Sequence, residues 1–435
     1  MKTKIRFYFA ITLSAFLFFS FSNVMAAEGN SSNEKKEKNK VQQVIDTLKY
    51  DVYKGEIKDS KTNEPLMFAT ITVQGVNVAT VSNSDGEFLL KIAKDLPVNT
   101  IEITYIGYKN LEIPISSLKE KKNILKLESV TIPLGQINIY PLDPLFLVKS
   151  ILAKVAQNYS TEPNMMKGFY RETVKKNRTY VAISEAVVNV HKAGYKQIRD
   201  DQVQIYKGRK SQDVKKMDTL LFKLQGGPNT SLLLDVIKNP YNLLSEDFIE
   251  SYNFSIKSVT KINDKIHYVI EFKQKENIDI PLYYGLLYIE STNLALASAK
   301  FSLNLSNEDE ASRMFIKRKP AGVKVTPTSA DYLVNYTEKD GKWYFNYARG
   351  EINFKCNWKR KLFNTNYSAM TEIAITDRDE QNIVRFRGDA KFKVNQVMVE
   401  EVNNFADANF WGAYNTIEPD QSIESAIRKL KRKAD

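Results

Sequence analysis

From residue 167 onward, stretch after stretch of the sequence alternates apolar and polar residues, and this limits the fold more than any other feature. "MKGFYRETVKK", "YVAISEAVVNVH", "DQVQIYKG", "YNFSIKSVTKI", "KIHYVIEFKQK", "YYGLLYIES" and "LALASAKFSLNL" follow one another. After a polar break come "SADYLVNYTEKDGKWYFNYARGEINFKCNW" and "YSAMTEIAITD". A period of two places successive side chains on opposite faces of a sheet. The chain holds 23 Tyr and 23 Phe, and tyrosine suits half-buried strand faces. The expectation is one large, curved antiparallel sheet. Its Asp340-Gly341 pair is a hairpin turn signal, because glycine accepts positive φ without a Cβ clash. A long tyrosine-rich meander of this kind can enclose an apolar groove.

Helical spacing appears only in short pieces. In "YPLDPLFLVKSILAKVAQNY" (140–159), Asp143 can cap a helix and Pro144 fits its first turn. Val148, Ile151, Leu152, Val155 and Tyr159 recur on one face, a stripe suited to packing on a sheet. "NTSLLLDVIKNPYNLLSEDFIESY" (229–252) predicts one or two helical pieces interrupting the sheet. Near the end, Asp420 or Ser422 can start a short helix whose last turn is basic, as the helix dipole favours.

Residues 51–130 hold seven short strands with turns between them, which predicts a small β-sandwich. Pro114 marks an edge strand or a strand end. In "VATVSNSDGEFLLKI" (78–92), Asp85-Gly86 is a second hairpin turn signal. A calcium loop is the competing reading. With Gly86 at the sixth position, Val81 and Ile92 would fall at the first and twelfth, where oxygen ligands are required. The turn fits better.

The pattern "GEIKDSKTNEPLMFATITVQG…VATVSNSDGEFLLKI…IEITYIGYKNLEI" resembles the carboxypeptidase-regulatory-like domain of Bacteroidetes envelope proteins. Four motifs follow in order: G-x-I, PL-x-x-A-x-I, T-x-x-D-G-x-F with Ser82 in the threonine's place, and Y-x-G-Y. The resemblance implies a prealbumin-like, immunoglobulin-type sandwich, a non-catalytic module similar to the N-terminal extensions of outer-membrane nutrient receptors. "PLDPLFLVKSIL", "GFYRE" and the tail "NFWGAYNTIEPDQSIESAIRKLKRK" resemble a recurrent Bacteroidetes protein in which such a domain precedes a β-rich one. The middle strands resemble a periplasmic lipoprotein-carrier fold, a half-open barrel over a helix.

The chain begins with Lys2, Lys4 and Arg6 before an apolar run from Phe7 to Phe21, then Val24-Met25-Ala26. This predicts a secretory signal peptide cut after Ala26. No later segment is apolar for long enough to span a membrane as a helix. The expected organisation is therefore 1–26 signal peptide, 27–50 flexible linker, 51–130 sandwich and 131–435 β-rich domain with a C-terminal helix. The net charge is +12; less the three signal-peptide cations it is +9. Scattered lysines suit a solvated surface. As a partner, an anionic membrane or lipopolysaccharide surface fits an exported chain better than nucleic acid. Cys356 is the one cysteine, so no internal disulfide forms, and a lone cysteine suits a small buried core position.

No nucleophile elbow, phosphate loop, C-x-x-C or H-E-x-x-H occurs. Gly226-Gly227-Pro228 lacks the lysine of a phosphate cradle. His267 and Glu271 share a strand face and are expected on the solvent side. The acidic clusters at 307–312 and 377–381 are expected as solvated turns. No catalytic residue, metal ligand or cofactor is assigned. The expected role is a non-catalytic envelope protein: the sandwich an interaction module, the curved sheet a site for a hydrophobic or lipid ligand or an envelope protein. A carboxylate-based hydrolase of glycan or peptide and a structural surface-assembly component are the alternatives. Oligomeric state stays open.

Overall fold

The computed structural model describes residues 49–130, 142–213, 224–240, 243–262, 265–316, 321–359, 362–404 and 410–434. The cleavage expected after Ala26, and all but the last two residues of the 27–50 linker, lie outside these.

The N-terminal unit is a two-layer sandwich of seven strands. β1 (Tyr50–Asp59) lies between β4 (Glu87–Ala93) and β7 (Asn123–Leu127). The facing sheet runs β3 (Ala79–Val81), β2 (Thr70–Val73), β5 (Thr100–Thr104), β6 (Leu111–Pro114). Alternate residues of both sheets, among them Ile57, Ile71, Phe88, Leu90, Ile101 and Ile103, make its core. Pro114 ends the edge strand β6, where its missing N–H costs no ladder bond.

Asp85-Gly86 is a turn but not a hairpin. β3 and β4 belong to different sheets, so the turn is a corner between layers. The Asn83 side chain accepts from the N–H groups of Asp85 and Glu87, each at 2.9 Å. Gly86 has φ +75°, and a Cβ there would meet Ile57 O at 2.7 Å. The corner forms because β4 finds its partner in β1, from Tyr50↔Ala93 to Glu56↔Glu87.

A capped helix leads out of the sandwich. α1 (Pro144–Ala153) starts at Asp143, whose carboxylate accepts from Leu145 N at 2.9 Å, and the single turn α2 (Val155–Asn158) follows. Then β8 (Asn164–Lys176), β9 (Thr179–Lys192) and β10 (Gln202–Gln212) form hairpins. The short helices α3 (Pro228–Leu232) and α4 (Glu246–Ile249) interrupt the sheet. The meander then runs through β11 (Tyr252–Ile262), β12 (Lys265–Gln274), β13 (Tyr283–Glu290) and β14 (Leu296–Leu303). After α5 (Glu308–Phe315) it continues through β15 (Val323–Lys339), β16 (Lys342–Trp358) and β17 (Thr365–Asp379). β17 returns to pair with β8. With α6 (Met398–Glu401) and the two-residue β18 (Asn403–Asn404), the order is β11-β12-β13-β14-β15-β16-β17-β8-β9-β10-β18. All neighbours are antiparallel except β10 and β18. The C-terminal helix is α7 (Gln421–Ala434).

Asp340-Gly341 joins β15 to β16 next to the Lys339↔Lys342 pair. Both residues have positive φ, +51° and +74°, as the hairpin turn matching strand twist requires. Pro327 sits at a β15 bulge, where a strand tolerates it.

The inner face of the sheet carries the large core. One contiguous apolar cluster runs along the inner face from Val203 on β10 through Tyr170, Ile373, Ala348 and Val334 to Ile270 on β12. Leu147, Val148 and Ile151 of α1 fill the concavity with Leu232, Leu243 and Ile249. Cys356 is buried in this cluster, and burial pushes its thiol up to about 12. Lys192 anchors the α3–α4 excursion, lying 2.6 Å from Asp201 and 2.7 Å from Asp235. The hydroxyls of Tyr195 and Tyr336 also donate to Asp235, at 3.0 and 2.8 Å.

The outer face has a different chemistry. Arg209, Glu185, Arg171, Glu372 and Arg349 stand directly opposite one another on β10, β9, β8, β17 and β16. Arg171 Nε lies 2.9 Å from Glu185 and its Nη1 3.1 Å from Glu372. Arg209 closes on Glu185 at 2.8 Å and Arg349 on Glu372 at 3.3 Å. Burial alone would raise the Glu185 pKa, but Arg171 and Arg209 outweigh it and hold the carboxyl below its ordinary value.

Three further expectations are corrected, the first at 377–381, where Asp377 and Asp379 belong to β17 and pair with β8 and are not a turn. His267 is fully buried, edge-on to the Trp343 ring at 6.2 Å, and burial lowers its pKa to about 4. Glu271 lies further along the strand, 3.5 and 3.4 Å from Lys257 and Lys273. The face is shared, but it is covered at one end only. The acids at 308–310 form the first turn of α5, capped by Asn307, where the helix dipole favours negative charge. They are not a turn.

Arg171→Met should cost about 3–5 kcal/mol in chemical denaturation, because Glu185 and Glu372 stay buried without their shared partner. Glu172, fully buried on the inner face, is pushed up to about 8 by burial, against hydrogen bonds from Tyr170 and Ser184. An unfolded glutamate titrates near about 4.3. Between the two values the unfolded chain binds fewer protons, so this group makes stability fall as pH rises to about 8, with no further change above it. Glu172→Gln should flatten that fall, by roughly a few kcal/mol, in melts at pH 5 and pH 8.

Candidate functional site

The sandwich is seated on the outer face, and the seat leaves a cleft of about 340 Å³ between the two units. The sandwich wall is Met67, Phe68, Thr70, Thr104, Tyr105 and Ile106; Ile262, Tyr288, Lys300, Asp331, Leu333 and Arg349 are prominent in the sheet wall.

Phe68 positions the wall. Its φ is +64°, a conformation that bulky side chains rarely adopt and that clusters at functional sites. The ring stacks on Tyr347, centroids 5.4 Å apart and planes at 20°, and the Arg349 guanidinium lies 5.1 Å above it. Phe68 N donates to Ser82 O at 3.1 Å. Met67 beside it is 45% exposed, an apolar side chain left open to the cleft.

The polar groups of the cleft converge from three strands. Asp331 and Glu351 are direct cross-strand partners on β15 and β16, a placement that brings Cβ atoms to about 5 Å. Asp331 accepts from Ser302 Oγ at 2.6 Å. Glu351 accepts from Arg349 at 2.9 Å and from Ser368 at 3.1 Å, one bond on each oxygen. Lys300 is exposed and has no ionic partner among the described residues.

The seat itself is polar at many points. Asn77 donates to Arg378 O at 2.6 Å, Asn346 to Thr70 Oγ1 at 3.2 Å, and Gly107 N to Lys261 O at 3.3 Å. The segment before α7 wraps both units. Asn415 pairs with the backbone of Lys91 on the β4 edge, at 2.7 and 3.0 Å, and Arg171 donates to Ile417 O at 2.7 Å. Asp85 accepts from Gln421 N, the first residue of α7, at 2.9 Å, while Asp420 accepts from Ile423 N at 2.7 Å. The corner residue of the sandwich thus caps the C-terminal helix. A smaller polar cavity of about 230 Å³ lies at that junction, between Asp85, Arg171, Glu372 and Asp420.

Asp340 and Gly341 turn the β15–β16 hairpin and do not line the cleft. Gly226 and Gly227 have positive φ and lead into α3. None of the residues that line the cleft stood out in the sequence as a site. A signal was there: charges inside otherwise apolar strands, as in "YARGE" and "LASAKFSL".

The fold and this cleft define a two-unit β protein whose N-terminal unit is docked on the outside of a curved sheet. The CarboxypepD_reg-like domain family matches residues 53–139, so the chain carries a CarboxypepD_reg-like domain. The TonB-dependent receptor SusC of Bacteroides thetaiotaomicron is similar, 34% identical over 89 residues. That is 19% of this chain, and the chain spans 8% of that receptor's length. Among solved structures, a DUF1329 family protein from Desulfovibrio piger covers 56% of this chain and 96% of its own at 10% identity and a TM-score of 0.25. A putative outer membrane lipoprotein-sorting protein domain from Vibrio parahaemolyticus covers 55% of this chain and 93% of its own at 10% identity and a TM-score of 0.23.

Asp85→Ala should remove one helix-capping bond and destabilise the docked α7 by about 1 kcal/mol. The check is amide hydrogen exchange, faster at Gln421 and the following turn while the β8 and β17 amides are unchanged.

Proposed function

We propose that this chain is an exported, non-catalytic binding protein of the cell envelope, and that its ligand site is the cleft between the sandwich and the curved sheet. The observation that carries the reading is the composition of that cleft. Aromatic and aliphatic side chains from both units supply ten of its eighteen lining residues, and its charged groups, Lys300, Asp331, Arg349 and Glu351, all stand on the sheet side, so that an apolar wall faces placed polar groups as in small-molecule sites. A ligand with an apolar body would lie against Phe68, Tyr105, Tyr288 and Leu333. The Lys300 ammonium suits an anionic end. The concave inner face, by contrast, is filled by the protein's own helices and side chains. The sandwich also serves as an interaction module. Its β4 edge is occupied by Asn415, while Ile124 on the opposite edge strand, β7, is 60% exposed.

One observation favours a second reading, a carboxylate hydrolase. Asp331 and Glu351 face the same cleft as cross-strand partners, and glycoside hydrolysis uses a pair of carboxyl groups that face one site. Against it, both Glu351 oxygens are already engaged by Arg349 and Ser368.

Native mass spectrometry of protein purified from its own envelope without detergent tests the binding reading. The expected result is a discrete adduct lost on denaturation. Leu333→Trp, which fills the cleft, should abolish the adduct, and Lys300→Glu should weaken it about tenfold. An apo mass at every gentle setting, or an adduct untouched by Leu333→Trp, would sink the proposal. Turnover of a glycan or peptide that disappears in both Asp331→Asn and Glu351→Gln would establish the hydrolase instead.

A further inference from the structure

We propose that the end of the large sheet carrying the β16–β17 loop docks on an anionic lipid bilayer surface. Leu362 and Phe363 in that loop are 98% and 83% exposed, the most exposed large apolar neighbours among the described residues. An apolar pair left so far into water has no role in the fold.

Register places cations around the pair. β17 begins with Thr365↔Cys356 and Asn366↔Lys355, so Lys355 stands at the base of the loop. Tyr367 pairs with Lys176, and Asn177 N donates to Asn366 O at 2.7 Å, which brings the β8–β9 turn with Arg178 against the same loop. Lys359, at the end of β16, is bonded through its N–H to Gly322 O at 2.9 Å. Lys355, Lys359 and Arg178 are exposed. The stretches 175–179, 355–359 and 362–366 that meet here contain no aspartate or glutamate. Beyond them, Glu308 lies 3.8 Å from Lys324, and Asp213 follows β10 with its N–H on Val181 O.

The shape decides the occupant. Two side chains on one loop offer far less than the roughly 800 Å² per partner that a stable protein interface buries. An exposed apolar pair with exposed cations at the base of its loop and on the adjoining turn matches the layering of a bilayer surface. Leucine and phenylalanine enter the acyl boundary, and lysine and arginine stay at the phosphates with their stems along the apolar region. Anionic lipid adds attraction for each cation within a Debye length.

The test is flotation of the purified protein without the expected signal peptide, residues 1–26, with phosphatidylcholine vesicles, with and without phosphatidylglycerol. The wild type should float with the anionic vesicles about tenfold more strongly than with neutral ones, and added salt should reduce this. Leu362→Asp combined with Phe363→Asp should lose about tenfold in binding with an unchanged melting temperature, since both sites are exposed. Lys355→Glu with Lys359→Glu should erase the preference for anionic lipid. Equal flotation with both vesicle types, or a Leu362/Phe363 variant that floats like the wild type, would overturn the proposal. So would a loop whose only effect, seen by sedimentation, is to pair two copies of the chain.

Discussion

Five alternating charges across five strands fix the register of the large sheet. Arg209, Glu185, Arg171, Glu372 and Arg349 meet only when β10, β9, β8, β17 and β16 are paired as observed. A slip of one residue anywhere in this row would turn its charges into the apolar inner face. Opposite charges directly across a ladder attract, and like charges repel, so a slip of two residues loses the match as well. Burying charge is costly, and a hydrophobic replacement can be equally stable. What the ladder supplies is uniqueness of pairing, in long strands whose alternating pattern alone would tolerate several registers.

The same ladder determines what can sit on the outer face. Arg171 also donates through Nη2 to Ile417 O, and Tyr347, whose hydroxyl donates to Glu372 at 2.9 Å, turns its ring to Phe68. Arg349 links the ladder to the cleft through Glu351. Sheet register, sandwich position and cleft geometry are therefore one connected arrangement. Arg209 extends it to the tail, its guanidinium 4.7 Å over the Trp411 ring.

The fold was legible wherever a local pattern decides it. Alternation marked the strands, Asp143-Pro144 marked α1, and Asp340-Gly341 marked a hairpin, because each depends on neighbours within a few residues. The Asp85 turn was legible as a turn, but its partners were not. Whether a corner joins paired strands depends on β1, some thirty residues earlier, capturing β4. His267 failed for a similar reason: its face followed from the period, and its burial followed from Trp343 on another hairpin. The cleft was not legible at all. Its walls come from two units separated by two hundred residues, and its polar groups look in sequence like the ordinary polar half of a strand.

A division of labour between the faces follows from these facts. The inner face is closed by segments that are contiguous with the sheet strands in sequence, α1 and the α3–α4 excursion, and tied by the buried pair of Lys192 and Asp235, whose carboxylate also accepts from Tyr195 and Tyr336. Its other contacts are mostly apolar, and salt screens buried pairs far less than exposed ones. The outer face is closed by parts drawn from both ends of the chain, the sandwich and the tail, through a smaller apolar cluster that joins Val81 to Phe169, Val187 and Ala374 and to Trp411 and Ile417, and through hydrogen bonds, ion pairs and ring stacking. The polar share of this seat is larger than that of the inner core, and it is the share that ions reach. The cleft lies where the two kinds of closure meet: Phe68 and Arg349 on its border belong to the seat of the sandwich, and Tyr332 and Tyr336 in its lining belong to the large core.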